Sequence, residues 1–246
     1  SSGHDNIGGG GASNVTISAN TVAATAKGNA IDLVRSTGVT LADNRVEGTA
    51  TAPHNIYFEG VTDSLITRNV LAGSAISVQS NAEYADHEAV INPARVVVTG
   101  NTIADTAAQG ISVRYDGARA GEASAAAGGN TISNNTISRT GVAGIAIIAE
   151  AAGLAATPDD VSHNTVTDAF TRGTATWNTG YGITEAAGIV MGAGAGSHLA
   201  GNEVRNTGSG AARFGVQVGL DSARGVPADV QGADSTTVGN TMSAVR

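Results

Sequence analysis

The densest group of proton-transfer side chains in the chain is the run Tyr84-Ala85-Asp86-His87-Glu88. A tyrosine or histidine placed there can abstract the C5 proton of a uronic acid, provided a cation stabilises the enolate-like intermediate. A second group is scattered in number: Asp32, Tyr57, Glu59, Gln79 and Arg114, with Tyr115 and Asp116 just beyond. Asp32 and Glu59 are of the type that cleaves glycosidic bonds in pairs, at a separation of roughly 5–9 Å. Arg114 can clasp a substrate carboxylate through two N–H groups. Tyr57, Gln79, Glu88, Tyr115 and Asp116 are expected as substrate contacts, and Trp177 as a ring on which a sugar stacks. All of this requires residues distant in number to lie side by side.

A repeat supplies that proximity. Two apolar residues flank a small polar one, and Asn, any residue and an aliphatic follow. Val15-Thr16-Ile17 with Asn20-Thr21-Val22 is one copy, and Val96 to Val98 with Asn101-Thr102-Ile103 is another. The marking asparagines are Asn20, Asn44, Asn69, Asn101, Asn135, Asn164, Asn202 and Asn240, with successive spacings of 24, 25, 32, 34, 29, 38 and 38. A spacing near 24 is the bare coil, and the excess is loop. A third apolar step follows in seven coils, of the kind Gly110-Ile111-Ser112-Val113. Period-two alternation in all three steps predicts short strands. Each coil has an apolar stripe that it cannot bury alone, so like coils must stack at ~4.8 Å.

The expectation is an all-β, right-handed parallel β-helix of about eight to nine coils with three short strands each, as a single domain over 1–246. The asparagines are expected in the left-handed conformation at a turn, trading amide hydrogen bonds from coil to coil. Stacking sorts the outward residues of the third step into columns. One runs Asp32, Tyr57, Ser77, Ser112, Ala146, Val190, Gln217, and the next Val34, Glu59, Gln79, Arg114, Ile148, Gly192, Gly219. Insertions such as Ser80–Asn92, Asp116–Gly129 and Phe170–Glu185 are expected to wall a groove beside them. Asp159-Asp160, ahead of the Val161 strand, reads as capping or turn residues.

Composition narrows the classes. Aromatics are 3% and Gly 34 of 246 residues, which suits a thin core between closely stacked backbones. The net charge of −8 argues against nucleic acid as partner. The absence of cysteine excludes disulfides and thiolate metal sites. No apolar run reaches the ~18 residues of a membrane span, so no membrane partner is expected. The opening Ser1-Ser2-Gly3-His4-Asp5-Asn6-Ile7 reads like the tail of a coil, and suggests a processed or excised part of a longer chain.

The pattern Val-x-Ile-x-x-Asn-x-Val followed by Gly-Ile-x-Val resembles the right-handed parallel β-helix repeats of the pectate-lyase-like superfamily. That resemblance implies polysaccharide lyases, glycoside hydrolases, uronan epimerases, fructan-cleaving transferases, tailspikes or adhesins. The Tyr84 loop is similar to the Tyr-x-x-Asp-x-His-Glu motif of alginate C5-epimerases, with both spacings one residue shorter. His4-Asp5 before Ile7-Gly8-Gly9 is similar to the Gly-His-Gly turn of polygalacturonase-type hydrolases. The resulting expectation is an exported or cell-surface enzyme that cleaves glycosidic bonds, as hydrolase, transferase or lyase, in a groove on the outer face of one sheet. Its catalytic residues would come from Asp32, Glu59, Tyr84, Asp86 and His87, and its partner would be a polysaccharide or oligosaccharide. The alternatives are a non-catalytic glycan-binding or structural β-helix and an alginate-type C5-epimerase. No motif calls for a metal or cofactor, though Ca2+ would be compatible, and a homo-oligomer is left open.

Overall fold

The computed structural model describes residues 5, 7–23, 28–48, 56–81, 89–116, 127–149, 157–171, 186–192, 196–218 and 236–243. Among them are twenty-four strands and no helix. They form three parallel sheets of eight strands each, and every sheet takes one strand from every coil. Eight rungs of three strands follow. The first-sheet strands of rungs 1 to 8 are Ile7–Gly10, Ile31–Val34, Ile56–Glu59, Ile76–Gln79, Ile111–Tyr115, Ile145–Ala149, Ala187–Gly192 and Phe214–Val218. The second sheet runs from Thr16–Ser18 to Thr236–Val238, and the third from Thr21–Ala23 to Thr241–Ser243.

The register follows from like side chains stacking inward. Ile31, Ile56, Ile76, Ile111, Ile145 and Ile189 form one continuous column. All of them are fully buried. Each such side chain stabilises the fold by roughly 1.5–3 kcal/mol. A slip of one residue would turn the whole column outward, so the register is firmly held. The Gly-Ile signature has a steric cause. A Cβ at Gly110 would lie 2.5 Å from Ile137 Cγ2, and one at Gly188 2.5 Å from Val204 Cγ1. The inward residue of the third sheet occupies that space.

The corner between the second and third sheets is an unbroken amide ladder. The backbone N–H of Asn69 and its Nδ2 both donate to Asn101 Oδ1, at 2.9 and 3.0 Å. Asn101 repeats this on Asn135, at 3.0 Å for both bonds. The same pair of bonds links Asn20 to Asn44, Asn135 to Asn164 and Asn202 to Asn240. The left-handed residue is not the asparagine, as expected, but its predecessor. Ala19, Asp43, Arg68, Gly100, Asn134, His163, Gly201 and Gly239 all have φ between 52° and 67°. That one twisted residue aims the following amide along the stack.

Candidate functional site

The first sheet's outer face carries the two expected columns. Register places Asp32 beside Tyr57, then Ser77 and Ser112, with Ala146 and Val190 beyond. The second column aligns Val34, Glu59, Gln79, Arg114, Ile148 and Gly192. Polar side chains occupy rungs 2 to 5. On rungs 6 and 7 the outward Ala146, Ile148 and Val190 are apolar and buried.

Within the polar part the side chains hold one another. Gln79 Nε2 donates to Glu59 Oε1 at 3.0 Å and also to the Tyr57 hydroxyl oxygen. Glu59 is 0% exposed. It was expected as the second catalytic carboxylate beside Asp32. It lies instead buried under the link from Gln79 to Tyr57. Gln79 is itself buried, and only Tyr57 of these three is half-exposed. Ser112 Oγ donates to Ser77 Oγ at 3.2 Å. Arg114 and Asp116 lie at the far end, half-buried, with Nε 3.7 Å from Oδ2. Ser80 Oγ donates to Asp116 Oδ2. Asn92 clamps the Asp116 backbone from both sides, accepting from its N–H and donating to its C=O at 2.9 Å each.

Tyr115 was expected on this face as a substrate contact, and the structure corrects that. The rung-5 strand has five residues, so alternation continues through Tyr115 and turns it inward. It is fully buried, with its hydroxyl donating to Asp159 Oδ2 at 2.6 Å. Burial first, then the Asp159 charge, pushes the phenol well above its usual range. Asp159, expected as a turn residue, is a buried acceptor in the corner between the first and second sheets.

The second carboxylate near Asp32 is Asp5. The first coil is 24 residues long, since Ile7 pairs with Ile31, and 5 + 24 places Asp5 under Asn29. The Asn29 backbone N–H donates to Asp5 Oδ1 at 2.7 Å, and its Nδ2 donates to Asp32 Oδ2 at 3.0 Å. One asparagine thus bridges two carboxylates. The position beside Asp32 on rung 1 is Gly8, which leaves the space bare, and a Cβ there would lie 3.6 Å from Asp5 Oδ2. Asp32 Oδ1 is buried without a hydrogen-bond partner among the described residues. Burial raises the Asp32 carboxyl above its ordinary range. The Asn29 bond opposes this and the Asp5 charge adds to it. The signal that could have found Asp5 is the period itself, carried one coil below the first marked asparagine.

Tyr84, Asp86, His87, Glu88 and Trp177 lie outside the described residues. The first four belong to the segment between Asn81 and Ala89. Its base is closed by Asn81 N–H donating to Ile91 C=O at 3.2 Å and Ile91 N–H to Asn81 Oδ1 at 2.6 Å. That base adjoins the rung-4 end of the polar columns. Among the described residues no group of three or more His, Cys, Asp or Glu side chains is arranged to hold a metal ion.

A family model described as "Right handed beta helix region" matches residues 5–204. No curated protein matches the chain. Among solved structures, the chain is similar to the catalytic domain of a GH87 alpha-1,3-glucanase in complex with nigerose. Identity is 13% and the TM-score 0.38, over 93% of this chain and 49% of that one. The chain therefore spans about half the length of that solved chain.

Proposed function

The chain belongs to the right-handed β-helix family, and on that scaffold we propose an exported enzyme that hydrolyses glycosidic bonds of a neutral polysaccharide along the outer face of the first sheet. The carrying observation is the carboxylate pair, Asp5 and Asp32, bridged by Asn29 over the bare Gly8 position. Asp32 is suited to the acid's role. Its surroundings favour the protonated form, and Oδ1 has no competing partner among the described residues. It would give its proton to the glycosidic oxygen as the C1–O bond breaks. Asp5 would either attack C1 or take the proton of the water that does. Tyr57, held by Gln79, would stack on a sugar ring. Ser112, Arg114 and Asp116 would extend the contact along the chain of sugars.

Charge favours a neutral substrate. Among the described residues around this face the carboxyl groups Asp5, Glu59 and Asp116 outnumber the guanidiniums Arg35 and Arg114 even with Asp32 left out as the acid, and Arg114 already lies 3.7 Å from Asp116. A uronan brings one negative charge per sugar into that field. This weighs against lyase or epimerase chemistry, which needs a cation at the enolate.

The test is a panel of neutral glycans and uronans, read by reducing ends and by the absorbance of unsaturated uronic products. Reducing ends from a neutral glycan, lost in Asp32→Asn and Asp5→Asn, are expected. Unsaturated products from a uronan would overturn the reading. Binding without cleavage across the panel would leave a glycan-binding β-helix in its place.

A further inference from the structure

The corner between the first and second sheets has a column of its own, placed two residues beyond the stacked bridges Thr37, Thr62, Ala94, Gly128 and Thr157. Its occupants are Val39, Ser64, Val96, Asn130, Asp159 and, one rung on, Ser197. They are linked upward through backbone N–H groups. Val39 donates to Ser64 Oγ at 2.9 Å, Val96 to Asn130 Oδ1 at 2.8 Å, Asn130 to Asp159 Oδ1 at 2.8 Å, and Asp159 to Ser197 Oγ at 2.9 Å. Every occupant but one is neutral. The exception, Asp159, is 1% exposed. Across the interior it faces Tyr115, whose hydroxyl donates to Asp159 Oδ2 and accepts from Asn130 Nδ2, both at 2.6 Å.

Other groups packed around Asp159 give it no counter-charge. From the first sheet comes Tyr115, from the corner below Asn130, from the corner above Ser197. Its neighbour Asp160 is half-exposed, with Oδ2 4.0 Å from His198 Nδ1. Among the described residues no Lys, Arg or His bonds to Asp159. We infer that Asp159 is a proton-operated brace: gaining or losing a proton changes how firmly the end of the rung-5 strand, with Arg114 and Asp116 flanking Tyr115, is held against the corner. This holds whether or not the outer face takes a glycan.

The proton has a defined place. When Asp159 is ionised, Tyr115 donates to it. When Asp159 is protonated, its own O–H can donate to the Tyr115 oxygen, and the phenol proton loses its acceptor. Burial is the main cause lifting the Asp159 carboxyl from 3.8 to about 6, against the bonds from Tyr115 and Asn130. A carboxyl whose folded value is raised contributes stability below its unfolded value. That contribution is lost as pH rises through the folded value. The window is therefore about pH 4 to 6.5. Asp43, Asp63 and Asp105 are held down by their arginines, and Asp168 is pulled to about 2, so these act below the window. Asp32 is raised and shares the direction. Only a comparison with an Asp159 variant isolates the brace.

The variants are Asp159→Asn and Asp159→Ser, whose side chains the same column already carries at Asn130, Ser64 and Ser197. Unfolding in urea is followed from pH 4.5 to 7.5 for each, with amide exchange over residues 111–116. The wild-type chain is expected to lose stability relative to either variant as pH rises. Between pH 4.5 and 7.5 the change should be roughly 25-fold in the folding equilibrium constant, since part of the shift from 3.8 to about 6 is already expressed at pH 4.5. At pH 7.5 the 111–116 amides should exchange about tenfold or more faster in wild type than in Asp159→Asn, and at equal rates at pH 4.5. Tyr115→Phe, which removes one donor to the carboxylate, should move the midpoint of the loss upward. Stability curves that run parallel across the range for both variants would overturn the inference. So would a pH-dependent difference that leaves exchange at 111–116 unchanged.

Discussion

The asparagine corner and the outer face of the first sheet are built by the same stacking, yet they behave oppositely. In the corner every rung carries the same side chain and makes the same two bonds to the next. Nothing distinguishes one rung from another, and each asparagine from Asn44 to Asn202 is about 1% exposed or less. On the outer face each rung differs. Carboxylate, phenol, amide, hydroxyl and guanidinium succeed one another, and their bonds join unlike groups. Uniform repetition is what a backbone needs for stability. Variation at a position where the fold tolerates anything is what a ligand needs for recognition. Substitution should therefore separate the two: loss of activity with an intact fold on the face, and loss of stability in the corner.

The largest expected effect is on the face. Asp32→Asn keeps the bulk and removes the titrating proton. The turnover of a neutral glycan should fall by roughly 10²–10⁴-fold, with the urea midpoint of unfolding within error of wild type. A variant that retains activity would place the chemistry elsewhere. Next comes the corner. Asn101→Ala strips the acceptor from the Asn69 N–H and Nδ2, both buried, and deletes donors to Ile66 C=O and Asn135 Oδ1. At roughly 1–3 kcal/mol per stranded group, the loss should be about 2–5 kcal/mol in urea unfolding. Activity measured well below the new midpoint should be unaltered. If Asn101→Ala cut activity as Asp32→Asn does, the division between scaffold and face would fail.

How much of this contrast could be read from sequence depends on where periodicity reaches. The asparagine ladder and the outward columns were legible because an eightfold repeat fixes vertical neighbours, and the isoleucine column fixes which face is which. The left-handed position was misread by one residue. Ala19 and Arg68 have no preference for positive φ, so the ladder overrides local propensity there. Tyr115 was misread because a strand one residue longer than its neighbour Ile76–Gln79 carries alternation one step further. Glu59 carries no sign in the sequence that its outward position is covered. Asp5 was not set beside Asp32 because Asp5 stacks under Asn29 and only Asn29, three residues along the chain, reaches Asp32.

A smaller effect sharpens the division inside the face itself. Glu59→Gln keeps an acceptor for Gln79 at nearly the same size, so Tyr57 stays oriented. Its KM for a neutral glycan should change less than threefold. Glu59→Ala frees Gln79, and KM should rise about tenfold with kcat little changed. Equal loss of kcat in both variants would instead assign Glu59 a direct chemical role.

The smallest effect concerns the exposed corners, where arginine and aspartate stack one rung apart. Arg95 donates to both oxygens of Asp63, Nε–Oδ1 2.5 Å and Nη2–Oδ2 2.7 Å, and both residues have positive φ. The same turn column holds Gly38 and Gly129 on other rungs. An exposed pair of this kind contributes at most about 1 kcal/mol and weakens with salt. A left-handed non-glycine residue costs roughly 1–2 kcal/mol. Arg95→Ala loses the pair and keeps the strain, while Arg95→Gly loses both and adds roughly 0.5–1 kcal/mol of unfolded-state freedom. The alanine variant should thus be the less stable of the two. Raising salt should bring wild type toward Arg95→Ala while leaving the gap between the variants unchanged. Urea unfolding at low and high salt reads both terms. A salt-dependent gap between alanine and glycine would mean that Asp63 has found another cation, and that the corner is tuned by charge and not by backbone conformation.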